Sequence, residues 1–138
     1  MLICKFFCSL PRRKEWISSL IAEATFEGFV DPYITDENFT LGGEVSDYEE
    51  VRYRILRSRE LRRDDGYIYR SDVEARFLAE GMRCPQPVEA LLLPAKDRQF
   101  GRGGKHFISF ICDSQLAFVV CEGQWGRRIL NLLNSDRW

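Results

Sequence analysis

A chain of 138 residues, 45% apolar and 13% aromatic, holds enough material for one globular core, so one domain over residues 1–138 is expected. A net charge of −1 excludes a general field that would steer the protein to nucleic acid or to an anionic membrane, and leaves any charged partner to a local patch. The five cysteines (Cys4, Cys8, Cys84, Cys112 and Cys121) are odd in number and irregular in spacing, and Cys4 and Cys8 have no second pair of ligands nearby to complete a zinc site. Reduced thiols and a cytoplasmic chain are the expectation.

Met1 to Leu10 is apolar but short, with Lys5 inside it, and the basic cluster Arg12-Arg13-Lys14 follows it rather than precedes it. That order is wrong for a signal peptide and fits a first strand or a plug of the core. No stretch approaches the roughly 20 apolar residues of a spanning helix. Ser9-Leu10-Pro11 then reads as a helix start, Trp16, Ile17, Leu20, Ile21 and Ala24 fall on one helical face, and Gly28 is a stop, so a helix is expected over about 11–27. Phe29 to Ser46 contains Asp31-Pro32 and Gly42-Gly43 and reads mostly as loop, with Phe39 and Leu41 pinning it to the core.

Glu49 to Arg57 alternates. Val51, Tyr53 and Ile55 share one face and Glu50, Arg52 and Arg54 the other, which favours a strand with a charged outer face over a helix. A charge run to Asp65 ends in a turn at Asp64-Asp65-Gly66, and Tyr67-Ile68-Tyr69 is a short strand candidate. Ser71-Asp72-Val73-Glu74 has the form of a capping box, and Val73, Phe77 and Leu78 line the face of a helix over about 71–80, ended by Gly81. Pro87 to Leu93 reads as a second short helix that stops at Pro94, followed by a polar loop to Lys105.

His106–Cys112 and Leu116–Cys121 are β-branched and aromatic runs, and Arg127–Leu133 is a third strand, with turn residues between them. An antiparallel meander over about 106–133 is expected. The first two strands are apolar on both faces, as in a sheet covered on both sides, or covered on one and used on the other. In the third, Arg128, Leu130 and Leu132 point one way and Arg127, Ile129, Asn131 and Leu133 the other, the pattern of an edge strand with a partly wet face. The fold class is α+β, with helices on one side of a mostly antiparallel sheet.

The segments YITDENF (Tyr33–Phe39) and LAEGMRCPQPVEALLL (Leu78–Leu93), with an apolar strand after them, resemble a group of small uncharacterised bacterial proteins. Their pattern is a helix, an ITxENF-like loop, a strand, a GLRPATLEELL-like helix pair and a C-terminal meander. The resemblance covers roughly 16–133 and implies the α+β fold. The group has no assigned activity, so no functional residue is carried over. Two departures stand out: Pro85-Gln86-Pro87 replaces a Thr cap, and Trp138 ends the chain where the pattern adds a strand, leaving a sheet edge that a partner can pair with.

No catalytic set is recognised, and the reading leans against an enzyme. His106 is the only histidine; Cys84 is the freest thiol to pair with it. Gly101 to Lys105 can contact an anion but lacks the spacing of a P-loop. Arg52, Arg54, Arg57, Arg59, Arg62 and Arg63 form the densest basic cluster, diluted by Glu49, Glu50, Glu60, Asp64 and Asp65, and a solvated face with internal ion pairs is its simplest reading. Asp31, Asp36, Glu37, Glu44, Asp47, Glu49 and Glu50 gather in one loop-rich segment without EF-hand spacing. Trp125 lies in a turn near two glycines, either folded back on the sheet or held out as a contact.

The expectation is a non-enzymatic interaction protein, of regulator or inhibitor type, that binds a protein partner through Asp36, Glu37, Arg52, Arg54 and Trp125 on an acidic loop face or at an open sheet edge. The alternatives are a nucleic-acid module using the arginine-rich strand with Arg102, Lys105 and His106, and a thiol enzyme using Cys84 and His106. No cofactor, metal or membrane partner is implied, and self-association is left open.

Overall fold

The computed structural model describes residues 2–3, 8–9, 16–39, 50–51 and 53–138, with side chains for 16–39 and 53–138. The architecture is α+β. The C-terminal meander is its centre: β5 (Phe107–Phe110), β6 (Leu116–Glu122) and β7 (Arg128–Asn134) form an antiparallel sheet in that order. Its register pairs Ile108 with Val119, Phe118 with Leu132 and Glu122 with Arg128. Near the chain start, β1 (Leu2–Ile3) pairs with β4 (Arg54–Ile55), and β2 (Cys8–Ser9) with β3 (Glu50–Val51).

Of the strand expected over 49–57, two short pieces are found, at 50–51 and 54–55, with 49 and 52 outside the described residues, and the burial differs. Ile55 is exposed and Leu56 is fully buried, so the inward position slips by one residue after Tyr53. The charge run condenses into one helical turn, α2 (Ser58–Leu61), where the Glu60 carboxylate accepts from the Arg57 backbone at 2.8 Å. Ile68 exchanges both backbone hydrogen bonds with Trp138, each 2.8 Å, which makes Tyr67–Tyr69 the short paired segment expected.

The helices cover both faces of the sheet, not one. α1 (Ile17–Ala24) and α4 (Pro87–Lys96) bury Ile17, Leu20, Leu91 and Leu92 against Phe118, Val120 and Leu130. On the other face α3 (Arg70–Ala79) sets Val73 and Phe77, with Leu56 and Ile68, against Ile108, Phe110, Ala117 and Val119. Period-two alternation along β6 feeds one cluster with Phe118 and Val120 and the other with Ala117, Val119 and Cys121. Each such large side chain contributes about 1.5–3 kcal/mol of burial.

Three helix boundaries depart from expectation. α1 ends at Ala24, because Thr25 turns into the left-handed region at φ 51° and its N–H returns to Ala22 O at 3.3 Å. Gly28 is not a stop but a place of close approach: a Cβ there would stand 2.6 Å from Ile129 Cγ2. Residues 11–15 of the expected helix lie outside the described residues. α3 starts one residue early, with no side-chain cap, so Ser71 and Glu74 do not form the capping box. Leu78 points to solvent at 78% exposure rather than joining Val73 and Phe77. α4 runs two residues past Pro94, its last turn fixed by burial of Leu91 to Ala95 and by Arg128 on the carbonyls of Pro94 and Asp97.

Arg128 corrects the reading of β7. Its side chain is fully buried, and its guanidinium donates to the carbonyls of Ala24, Pro94 (3.0 Å), Asp97 (2.8 Å) and Phe100 (3.2 Å). It closes the C-terminal ends of both helices on that face, where orphan carbonyls and the dipole favour a cation. Burial pushes its pKa below the ordinary arginine value. Arg70 does the same for the β5–β6 turn, donating to the carbonyls of Ile111 (2.8 Å) and Leu116 (2.7 Å).

The edge of β7 is half covered. Residues 28–31 run beside it, with Gly28 N–H to Arg128 O at 3.0 Å, Leu130 N–H to Phe29 O at 2.9 Å and Asp31 N–H to Leu130 O at 2.9 Å. Beyond them, the Leu132 N–H is satisfied by the Asn131 side chain at 2.9 Å, and no described strand pairs with that stretch. Among the described residues, no helix is long and apolar enough to cross a membrane.

Candidate partner-binding face

The β6–β7 turn is built from Gln124 to Arg127. The Gln124 carbonyl accepts from the Arg127 N–H at 3.2 Å, and both central residues have positive φ, Trp125 at 62° and Gly126 at 66°. These are the marks of a type I′ hairpin turn, whose twist matches the flanking strands. Gly126 fits its position; Trp125 stands where Asn, Asp or Gly is usual. The ring is 88% exposed, so it is held out and not folded back on the sheet.

Phe29, 55% exposed, faces the same depression of about 340 Å³, whose lining also includes Gly28, Gly123, Gln124, Arg127 and Ile129. Gly28 and Gly123 form its floor because their backbones press on Ile129. The Arg127 side chain is exposed and makes no hydrogen bond or ion pair among the described residues.

The neighbouring loop is tied to this turn. Arg102 donates to the Gly126 carbonyl at 3.2 Å and to the Arg98 carbonyl at 2.9 Å, and pairs with the Glu27 carboxylate. That hydrogen bond from Arg102 holds Glu27 below the usual carboxylate range. The Gly103 N–H donates to Glu122 Oε1 at 2.7 Å. A backbone donor of the glycine loop is thus already occupied by a carboxylate, which works against its use as an anion cradle. Lys105 and His106 are exposed, with the His106 ring edge-on to Trp138 at 5.9 Å.

Of the other expected partner-binding residues, Asp36, Glu37 and Arg54 do not join this face. Asp36 caps α1 from the loop that follows it, accepting from Ser18 N–H at 3.2 Å and Ser18 Oγ at 2.6 Å. Glu37, beside it, lines a second, shallow depression with Ile21, Val30 and Ile34. Arg54 is paired with Glu80 through two nitrogens at 3.2 and 3.4 Å, in a network with Arg76 and Glu60. Arg52, like Leu41, Glu44, Asp47 and Glu49, lies outside the described residues. The internal ion pairs are those of a solvated charged face.

The thiol reading finds no support in geometry. Cys84 is buried beside the far end of β5 from His106: Cys112 N–H donates to Pro85 O at 2.8 Å, past the strand's end, while His106 precedes its start. Burial pushes the Cys84 thiol up to about 12, the opposite of an activated nucleophile. Among the described residues, no group of three or more His, Cys, Asp or Glu side chains is placed to hold a metal ion.

What the sequence reading missed is that Phe29 lines the same depression as Trp125. It is brought there because residues 28–31 add to the sheet edge, a pairing across about a hundred residues that leaves no local signal. No family model, curated protein or solved structure matches the chain.

Proposed function

We propose that the chain is a non-enzymatic interaction protein that binds a protein partner through the Trp125–Phe29 face. The observation that carries this is Trp125: a bulky aromatic held in left-handed backbone, with its ring in solvent. Non-glycine residues in that region cost of order 1–3 kcal/mol. A strain with no return inside the fold points to a use outside it, and exposed Trp, Phe and Arg side by side are the residue types of binding hot spots. The expected roles of Asp36 and Arg54 weaken, since both are engaged within the chain.

The test is a comparative capture from a lysate of the native source. Wild type, Trp125→Ala and Leu78→Ala, an exposed control, are immobilised and their bound proteins quantified by mass spectrometry. Trp125→Ala is expected to lose the proteins that wild type and Leu78→Ala retain. Identical capture by all three would sink the assignment.

A further inference from the structure

We propose that the partner presents an acidic peptide segment, with an aromatic or large aliphatic side chain seated between Phe29 and Trp125 and a flanking carboxylate on Arg127. This deepens the binding-face reading and rests on it. The depression of about 340 Å³ is small. It stands at the low end of the roughly 300–1,000 Å³ of ligand pockets, a size for one side chain rather than a cofactor. Its lining, with Ile129 and two aromatic rings over glycine backbone, is apolar where that side chain would sit.

The charges around it are unequally committed. Glu27 is paired with Arg102, while Glu122 and Asp97, off the lining, keep their charge and accept from the Gly103 N–H and, at 2.9 Å, the Gln99 N–H. Arg127 lines the depression without a partner among the described residues. Arg127 is the one charged side chain among the residues lining the depression, and its complement there is a carboxylate. Nucleic acid fits less well, because Arg102 is already neutralised and the whole chain is slightly acidic.

The test is selection of a random-peptide phage library on wild-type protein, followed by affinities of the selected peptides for wild type, Trp125→Ala and Arg127→Glu. Both substituted residues are exposed, so melting temperatures should match wild type and certify the fold. The expected outcome is enrichment of sequences with an aromatic or Leu beside Asp or Glu. Their affinity should fall about tenfold or more in each variant, the size of a lost hot-spot contact. Peptides that need Trp125 but carry no acidic bias, or ignore Arg127→Glu, would overturn the acidic proposal and leave the binding face standing. No enrichment, or binding indifferent to Trp125→Ala, would overturn both. Oligothymidylate is the second probe: tight, steeply salt-dependent binding lost in Trp125→Ala would replace the acidic peptide by single-stranded nucleic acid.

Discussion

Trp125 sits in a turn position that favours Gly, and the ring gives nothing back to the core. Replacing it with Gly removes about 1–2 kcal/mol of left-handed strain and costs about 0.5–1 kcal/mol in unfolded-chain entropy. Trp125→Gly should therefore be as stable as wild type or more so by about 1 kcal/mol, read as an unchanged or raised urea midpoint, while partner binding is lost. A lowered midpoint would mean that the ring packs in solution. Arg128 behaves in the opposite way. Arg128→Met strands four carbonyls, each costing about 1–3 kcal/mol when buried unsatisfied, so a loss of about 3 kcal/mol or more is expected in the same assay. Neither role was legible in the sequence. An arginine in an alternating strand reads as an outer residue until the helix ends that need it are placed in space, and Trp-Gly is not a usual hairpin signature.

At the scale of elements, legibility followed the range of the cause. The meander was readable because β-branched runs and turn residues are local signals, and its register placed Leu130 and Leu132 together as expected. The boundaries of α1 were not, because its N-terminus is capped by Asp36 from the following loop and its C-terminus by Arg128 from the last strand. The loop at Arg102 is likewise set from outside, by Glu27. With its pKa lowered, Glu27 lends stability that is present above the ordinary carboxylate range and is lost as pH falls through the lowered value. Wild type should then exceed Glu27→Gln in unfolding midpoint near about pH 7, and the two should converge toward about pH 3. A difference that persists in acid would deny the ion pair its role.

The whole molecule is a sheet with a core on each face, joined through β6. Because successive residues of β6 enter opposite clusters, neither face can loosen without displacing the strand that organises the other. Cys84, Cys121 and Phe77 belong to the α3 side, Leu92 and Phe118 to the side of α1 and α4. Phe77→Ala and Leu92→Ala each leave a cavity in a different cluster, at a cost of about 3–5 and 2–5 kcal/mol respectively. If the faces are coupled, both variants unfold in one transition, with far-ultraviolet and tryptophan signals superimposed. The buried thiol gives a third signal: Cys84, with its pKa pushed up to about 12, should resist alkylation in the native state and react only as that same transition exposes it. Thiol labelling that tracks the spectroscopic curve in both variants would place the two cores in one cooperative unit. Labelling of Cys84 well before the transition in Phe77→Ala alone would instead show that the α3 face opens by itself, and that β6 does not transmit its loss to the other side.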